Sequence, residues 1–235
     1  GSKANRFDHV EIRNAIFGIW ADTLASTTEP TLTISNSKIQ HMTSIGLRAR
    51  GSTVKASNCL ISDCGDFAVA LELGGEYEFY HCTIANYWGV STRSTPSIYL
   101  NNYYIDTNEV LQPRDLEKAL FANSIIYGNR ENEIGFDSRK EAAFNYTFDH
   151  CLIKIDPDTE TSSSHYNAVI KNKDPKFVKP YEFNYKLDSL SPAIDAGDPK
   201  TGDAYPFDLL NNSRIMDEAP DLGAYEWQPS QDDNE

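Results

Sequence analysis

Basic residues are scarce in this chain of 235 residues: 21 lysines and arginines stand against 35 aspartates and glutamates, for a formal net charge of −14. That balance argues against a nucleic-acid backbone or an anionic lipid surface as partner. No apolar run reaches the length of a membrane-spanning helix, and the first residues do not read as a secretory signal. Gly1 stands almost directly before the first repeat. The chain is therefore expected to begin partway through a longer protein, or to carry Gly1-Ser2 as a cloning scar, with no obvious N-terminal cap. Cysteine is sparse too. Cys59, Cys82 and Cys151 recur at one repeat position and are expected as free thiols, because side chains stacked on parallel strands point the same way and suit a disulfide poorly. Cys64, in the turn Asp63-Cys64-Gly65-Asp66, is the candidate for an exposed thiol. Such usage leaves the redox compartment open.

What the chain does have is a short phrase returned six times: an apolar residue, a His or Asn two later, a small residue next, and an aliphatic two after that. It reads Phe7, His9, Val10, Ile12; Ile34, Asn36, Ser37, Ile39; and Ala56, Asn58, Cys59, Ile61. It returns as Phe79, His81, Cys82, Ile84; Phe121, Asn123, Ser124, Ile126; and Phe148, His150, Cys151, Ile153. The closing aliphatics are spaced by 27, 22, 23, 42 and 27 residues, about one coil of a parallel β-helix with one insertion. The opening apolar residue and the closing aliphatic are an odd number apart, so one straight strand cannot turn both inward. A one-residue corner at the His or Asn solves this, since Asn is the non-glycine residue most tolerant of left-handed backbone.

A third strand is expected in each coil at Ile19-Trp20-Ala21-Asp22, Leu47-Arg48-Ala49-Arg50, Val69-Ala70-Leu71-Glu72, Val90-Ser91-Thr92-Arg93 and Ile134-Gly135-Phe136-Asp137. Its first and third members face inward, and Gly18, Gly46 and Gly89 mark the entering bend. The sequence thus divides into coils over 1–156 with an excursion at 94–117, a Thr/Ser/Asp-rich loop at 157–170, a cap on the helix end at 171–227, and an acidic tail at 228–235. A monomer is expected.

The last quarter carries four ordered motifs: Asp174-Pro175-Lys176-Phe177, Tyr185-Lys186-Leu187, Ser191-Pro192-Ala193-Ile194-Asp195-Ala196-Gly197, and Pro220-Asp221-Leu222-Gly223-Ala224-Tyr225-Glu226. With the coils before it, this segment resembles the terminal part of bacterial pectin-lyase-like surface proteins, often called choice-of-anchor domain proteins. The resemblance implies an all-β fold, a right-handed parallel β-helix, in an exported or lipid-anchored bacterial protein, and little about activity. Between Gly197 and Arg214, where relatives commonly carry a second Gly near an Asp, the chain reads Tyr205-Pro206-Phe207-Asp208-Leu209-Leu210, so no family role carries over to that loop.

The terminal motifs make sense as a cover for exposed strand edges, with Ile194, Leu222, Ala224 and Tyr225 packing while Asp195, Asp208, Asp221 and Arg214 satisfy buried polar groups. No cofactor is required; the alternative is a calcium site from Asp195, Asp198, Asp203 and Asp208, although the regular spacing of a calcium loop is missing. The candidate functional surface is the outward face of the third strand. Its fourth positions read Asp22, Arg50, Glu72, Arg93, Asp137, alternating in sign, with Trp20 and Arg48 beside them. The column reads either as a surface ion-pair ladder or as a polysaccharide groove. In the groove, paired carboxylates would serve as acid and base, or Arg would act beside calcium. A second constellation pairs His41 with Asp63 on adjacent coils as general base and orienting group, with no nucleophile evidently placed beside them. The expectation is an exported or surface module that binds carbohydrate without turnover. Alternatives are a polysaccharide lyase or glycoside hydrolase on the third-strand face, and a structural stalk or adhesin segment. A binder should expose aromatics such as Trp20, Trp88, Tyr103 or Tyr104 beside that strand.

Overall fold

The computed structural model describes residues 4–22, 29–216 and 218–229; Gly1-Ser2 and the acidic residues from Ser230 onward lie outside them. The repeat is a stack of rungs in register. The opening positions form one parallel ladder, Phe7 on Ile34, then Ala56, Phe79, Phe121 and Phe148. The closing aliphatics form another, Ile12 on Ile39, then Ile61, Ile84, Ile126 and Ile153. Between the ladders the backbone turns on one residue: φ is 54° at His9, 49° at Asn36, Asn58 and His81, and 47° at Asn123 and His150. This is the left-handed geometry that the odd spacing demands. Corner side chains also bond along their column, with Asn58 Nδ2 donating to Asn36 Oδ1 at 3.1 Å.

Inside the stack, Phe79, Phe121 and Phe148 lie face to face at centroid separations of 4.9 and 5.2 Å. All four cysteines are free and buried. Cys64 is therefore not the exposed thiol its turn suggested: it ends the strand Leu60–Cys64 and joins the interior cluster. Burial pushes its thiol up to about 12.

The fourth coil departs from the sequence reading. Val90-Ser91-Thr92-Arg93 is not its third strand, and Gly89 does not mark the entering bend. Ile98–Asn101 takes that place, with Ile98 paired to Val69 on one side and Ile134 on the other. Val90 is 82% exposed whereas Ile98 and Leu100 are fully buried, so the chance to fill the interior chose the strand. The excursion read at 94–117 narrows to a hairpin of Tyr103–Ile105 and Leu111–Pro113, because Leu116–Ala122 already belongs to the next coil. The turn between Tyr87 and Ser97 is clasped from within. Arg93 donates through both terminal nitrogens to Glu133 at 2.9 and 2.8 Å, and Ser97 Oγ donates to the same carboxylate at 2.6 Å.

A seventh rung lies on the sixth, with Tyr166 on Phe148 and Ile170 on Leu152. It falls in the stretch read as a loop, disguised by Ala168 at the corner (φ 47°) and by Lys171 where an aliphatic belongs. The segment expected at 171–227 as a cap on the helix end lies along the side instead. From the third coil on, the outward positions of the second strands are largely apolar, and Leu60, Ala85, Ile125 and Leu152 pack against Phe177, Tyr185, Leu187 and Leu222. The matching positions of the first two coils are Glu11 and Lys38. Each large side chain so covered contributes about 1.5–3 kcal/mol. Polar groups fix the register of this cover. Buried Arg214 pairs with Glu226 and donates to Asn58 Oδ1 at 3.2 Å, while Asn123 Oδ1 accepts from Asp198 N at 2.8 Å.

Two stability outcomes follow. His81 is buried with Nδ1 lacking a partner, and burial first, then the Arg214 charge, hold its pKa well below 6.5. The unfolded chain binds a proton below about pH 6.5 that the folded chain refuses, so this contribution is full above that pH and declines as pH falls. His81→Asn keeps the left-handed corner and should flatten the decline between about pH 7 and pH 5, by up to about 1.4 kcal/mol per pH unit, read by denaturant unfolding at each pH. In the same assay Arg93→Met, which strands Glu133 buried and unpaired, should cost about 3–5 kcal/mol, and adding Glu133→Leu should recover most of it.

Candidate functional site

Strand alternation sends every second side chain of the third strand outward. Trp20, Arg48, Ala70, Tyr99 and Gly135 form one outward column. Asp22, Arg50, Glu72 and Asp137 stand in the next, and Asn101 supplies its fourth rung. The structure thus brings Trp20, Asp22, Arg48, Arg50 and Glu72 together on three adjacent rungs, with Asp137 two rungs further on. Arg93 does not belong to the column. It is a buried clasp residue, because the strand assigned to it is a turn.

The upper part of this face is a linked set. Trp20 Nε1 donates to Asp22 Oδ1 at 2.6 Å, and the Arg48 guanidinium lies 4.6 Å above the Trp20 ring. Arg48 Nε donates to Glu72 Oε2 at 2.7 Å, and Nη2 lies 2.7 Å from the same oxygen in an ion pair. Arg50 stands 3.8 Å from both Asp22 and Glu72. Lower down, Asp137 Oδ2 accepts from Tyr103 at 2.6 Å and from Tyr99 at 3.1 Å. Arg139 approaches Asp137 Oδ1 at 3.4 Å, with its guanidinium 4.1 Å above the Tyr103 ring. The hairpin walls the face, with Arg114 over Tyr104 at 5.1 Å, and a hollow of about 450 Å³ opens between Arg50, Leu73 and Arg114. Individually these contacts are weak, about 0.5–1 kcal/mol for an exposed cation–π pair and about 0–1 for an exposed ion pair. Collectively they hold ring faces and guanidinium planes in fixed positions. Tyr99 and Asn101 escaped the sequence reading, although Ile98-Tyr99-Leu100-Asn101 repeats the apolar alternation of its neighbours. Arg139 carries no periodic signal.

His41 and Asp63 are neighbours in a second left-handed column with Asn14, at φ 58°, 54° and 59°. No hydrogen bond joins them. Asp63 accepts from the Tyr185 hydroxyl at 2.6 Å and from Ser62 at 2.8 Å. Burial raises its pKa while those two bonds oppose the rise. Trp88 lies at this turn rather than beside the third strand, with Nε1 donating to Ser91 Oγ at 3.0 Å. Two of the four aspartates weighed for calcium serve other tasks. Asp198 caps the helix Pro199–Ala204 by accepting from Thr201 N at 2.9 Å. Asp208 accepts from Leu210 N and Asn212 N at one oxygen, and from Glu226 N at the other. Among the described residues no group of three or more His, Cys, Asp or Glu is placed to hold a metal, so Asp195, Asp198, Asp203 and Asp208 do not assemble.

Comparison with known proteins bears on the coils. Residues 5–173 match the family model described as the right handed beta helix region, a span that ends just past the seventh rung. No curated protein sequence matches the chain. Among solved structures, the crystal structure of pectate lyase Pel9A is similar, with a TM-score of 0.49 and 11% identity over 96% of this chain. The chain spans 60% of that enzyme's length. With rungs in register and the family match over most of its length, this all-β chain belongs to the right-handed parallel β-helix family.

Proposed function

We propose that the protein is an exported or cell-surface module that binds carbohydrate along the outward third-strand face without turning it over. The observation carrying this reading is Trp20, 45% exposed at one end of a face that presents the Arg48 guanidinium beside it and, further along, Tyr99, Tyr103 and the Arg139 guanidinium. Pyranose rings present apolar C–H faces to aromatic rings and hydroxyls to guanidinium groups, so rings and guanidinium planes distributed along one face suit an extended glycan. Binding is favoured over turnover because Asp22, Glu72 and Asp137 each already accept from Trp20, Arg48 or tyrosine donors. Arg48, Arg50 and Arg139 offset those three acids, so the face favours a neutral glycan over a polyanion. The C-terminal motifs resemble those of bacterial surface β-helix proteins and support the extracellular setting.

A glycan array followed by calorimetric titration of the best ligand is the test. Trp20→Ala should weaken binding by about tenfold. Acidic polysaccharides incubated with protein and calcium should give no unsaturated-product absorbance; its appearance would replace this reading with the lyase. Silence on the array would leave a structural stalk.

A further inference from the structure

The turn between second and third strands carries an apolar concentration that shares no lining residue with the third-strand face and that the carbohydrate reading does not use. Ile16 is 64% exposed, Val90 82%, Tyr181 70% and Phe183 52%, and all four border one cavity of about 890 Å³. Isolated exposed apolar residues need no explanation, but four around a single hollow do. Three separate parts of the chain build it: the left-handed turn column of the first three coils, the turn after Asn86, and the C-terminal hairpin. The hairpin is pinned from below. Tyr185 donates to buried Asp63, and Tyr87 packs on Phe177, Tyr181 and Tyr185 at centroid separations of 6.3, 5.4 and 6.0 Å. The walls are therefore preformed.

Besides the Trp88 indole and the tyrosine hydroxyls, the polar side chains bordering the hollow are Arg13, Asn14, His41, Thr43 and Asp63, and they are unequal. Both Asp63 oxygens are committed to Tyr185 and Ser62. Arg13 is engaged with Glu11 at 3.2 Å. His41 lies edge-on to Phe183 at 4.4 Å, and among the described residues its ring nitrogens have no hydrogen-bond partner. His41 is the polar group set directly against the aromatic wall, where a sugar's ring of hydroxyls would be stripped of water and left largely unmatched. That setting selects for a flat apolar body with one polar end, in a cavity whose size is usual for small-ligand sites.

We propose that this cavity is a second binding site, separate from the carbohydrate face, for an uncharged aromatic ligand carrying a single hydroxyl that hydrogen-bonds His41. The ring lies between Tyr87 and Phe183, and Ile16 and Val90 close the rim.

1-Naphthol is a suitable probe, titrated calorimetrically and by the NMR signals of His41, with methyl glucoside as comparator. Saturable binding with Kd below about 1 mM is expected, with movement of the His41 ring signals. Val90→Asp changes an exposed side chain and cannot unfold the core, yet should weaken binding at least about tenfold. His41→Asn retains a residue that accepts left-handed backbone, as Asn14 does, and should weaken 1-naphthol severalfold while leaving naphthalene binding unchanged. Trp20→Ala should leave all of this intact, which separates failure here from failure of the carbohydrate reading. Absence of saturable binding, insensitivity to Val90→Asp, or tighter binding of methyl glucoside than of 1-naphthol would overturn the proposal.

Discussion

One residue per coil in left-handed backbone is the constraint from which the molecule is built. Each coil must turn between two strands that both bury side chains, and a single residue at positive φ does so without spending length. Because every corner occurs at the same place, rungs stack in register and the ladders of Ile39, Ile61 and Ile84 and of Phe79, Phe121 and Phe148 become continuous. Asn and His suit the site for two reasons: a tolerance of left-handed geometry, and side-chain groups that bond up and down the column. The same column anchors the C-terminal segment, since Asn58 accepts from Arg214 and Asn123 from Asp198. Coil geometry and the attachment of the cover thus rest on one set of side chains.

The outer wall follows from where polarity is withheld. Outward positions on the second strands are polar in the first two coils and largely apolar afterwards, so a chain that stopped after its seventh rung would leave Leu60, Ile125 and Leu152 in water. Folding the last quarter back along the side removes that exposure. It also aims the hairpin toward the early coils, where it ends against His41, Asp63 and Tyr87. The outward third-strand face is left uncovered and keeps the arrangement of rings and arginines that a glycan would meet.

Buried charge is handled in two places by the same means. Arg93 with Glu133 clasps the turn between Tyr87 and Ser97, and Arg214 with Glu226 clasps the cover to the corner column. In each case the guanidinium also donates to backbone carbonyls, so the ion pair closes a network instead of standing alone. Both arginines fix irregular chain to regular chain, where ladder hydrogen bonds are absent.

The sequence determined what repeats. Spacing of His or Asn from the flanking aliphatics was enough to give the β-helix, its corners, the buried cysteine column and the outward positions of Trp20, Asp22, Arg48, Arg50 and Glu72, because these depend on local backbone and period-two alternation. It misplaced the fourth third-strand, since Val90-Ser91-Thr92-Arg93 and Ile98-Tyr99-Leu100-Asn101 both alternate and only the interior could choose between them. The change from Glu11 and Lys38 to Leu60, Ile125 and Leu152 lies in the sequence but went unread there, and the direction from which cover comes does not lie in it at all. That direction, the burial of Arg93, the bond from Tyr185 to Asp63 and the aromatic cavity were decided by tertiary structure alone. Each joins residues far apart in the chain, and no local preference encodes which distant group arrives to satisfy a buried carboxylate or an apolar stripe.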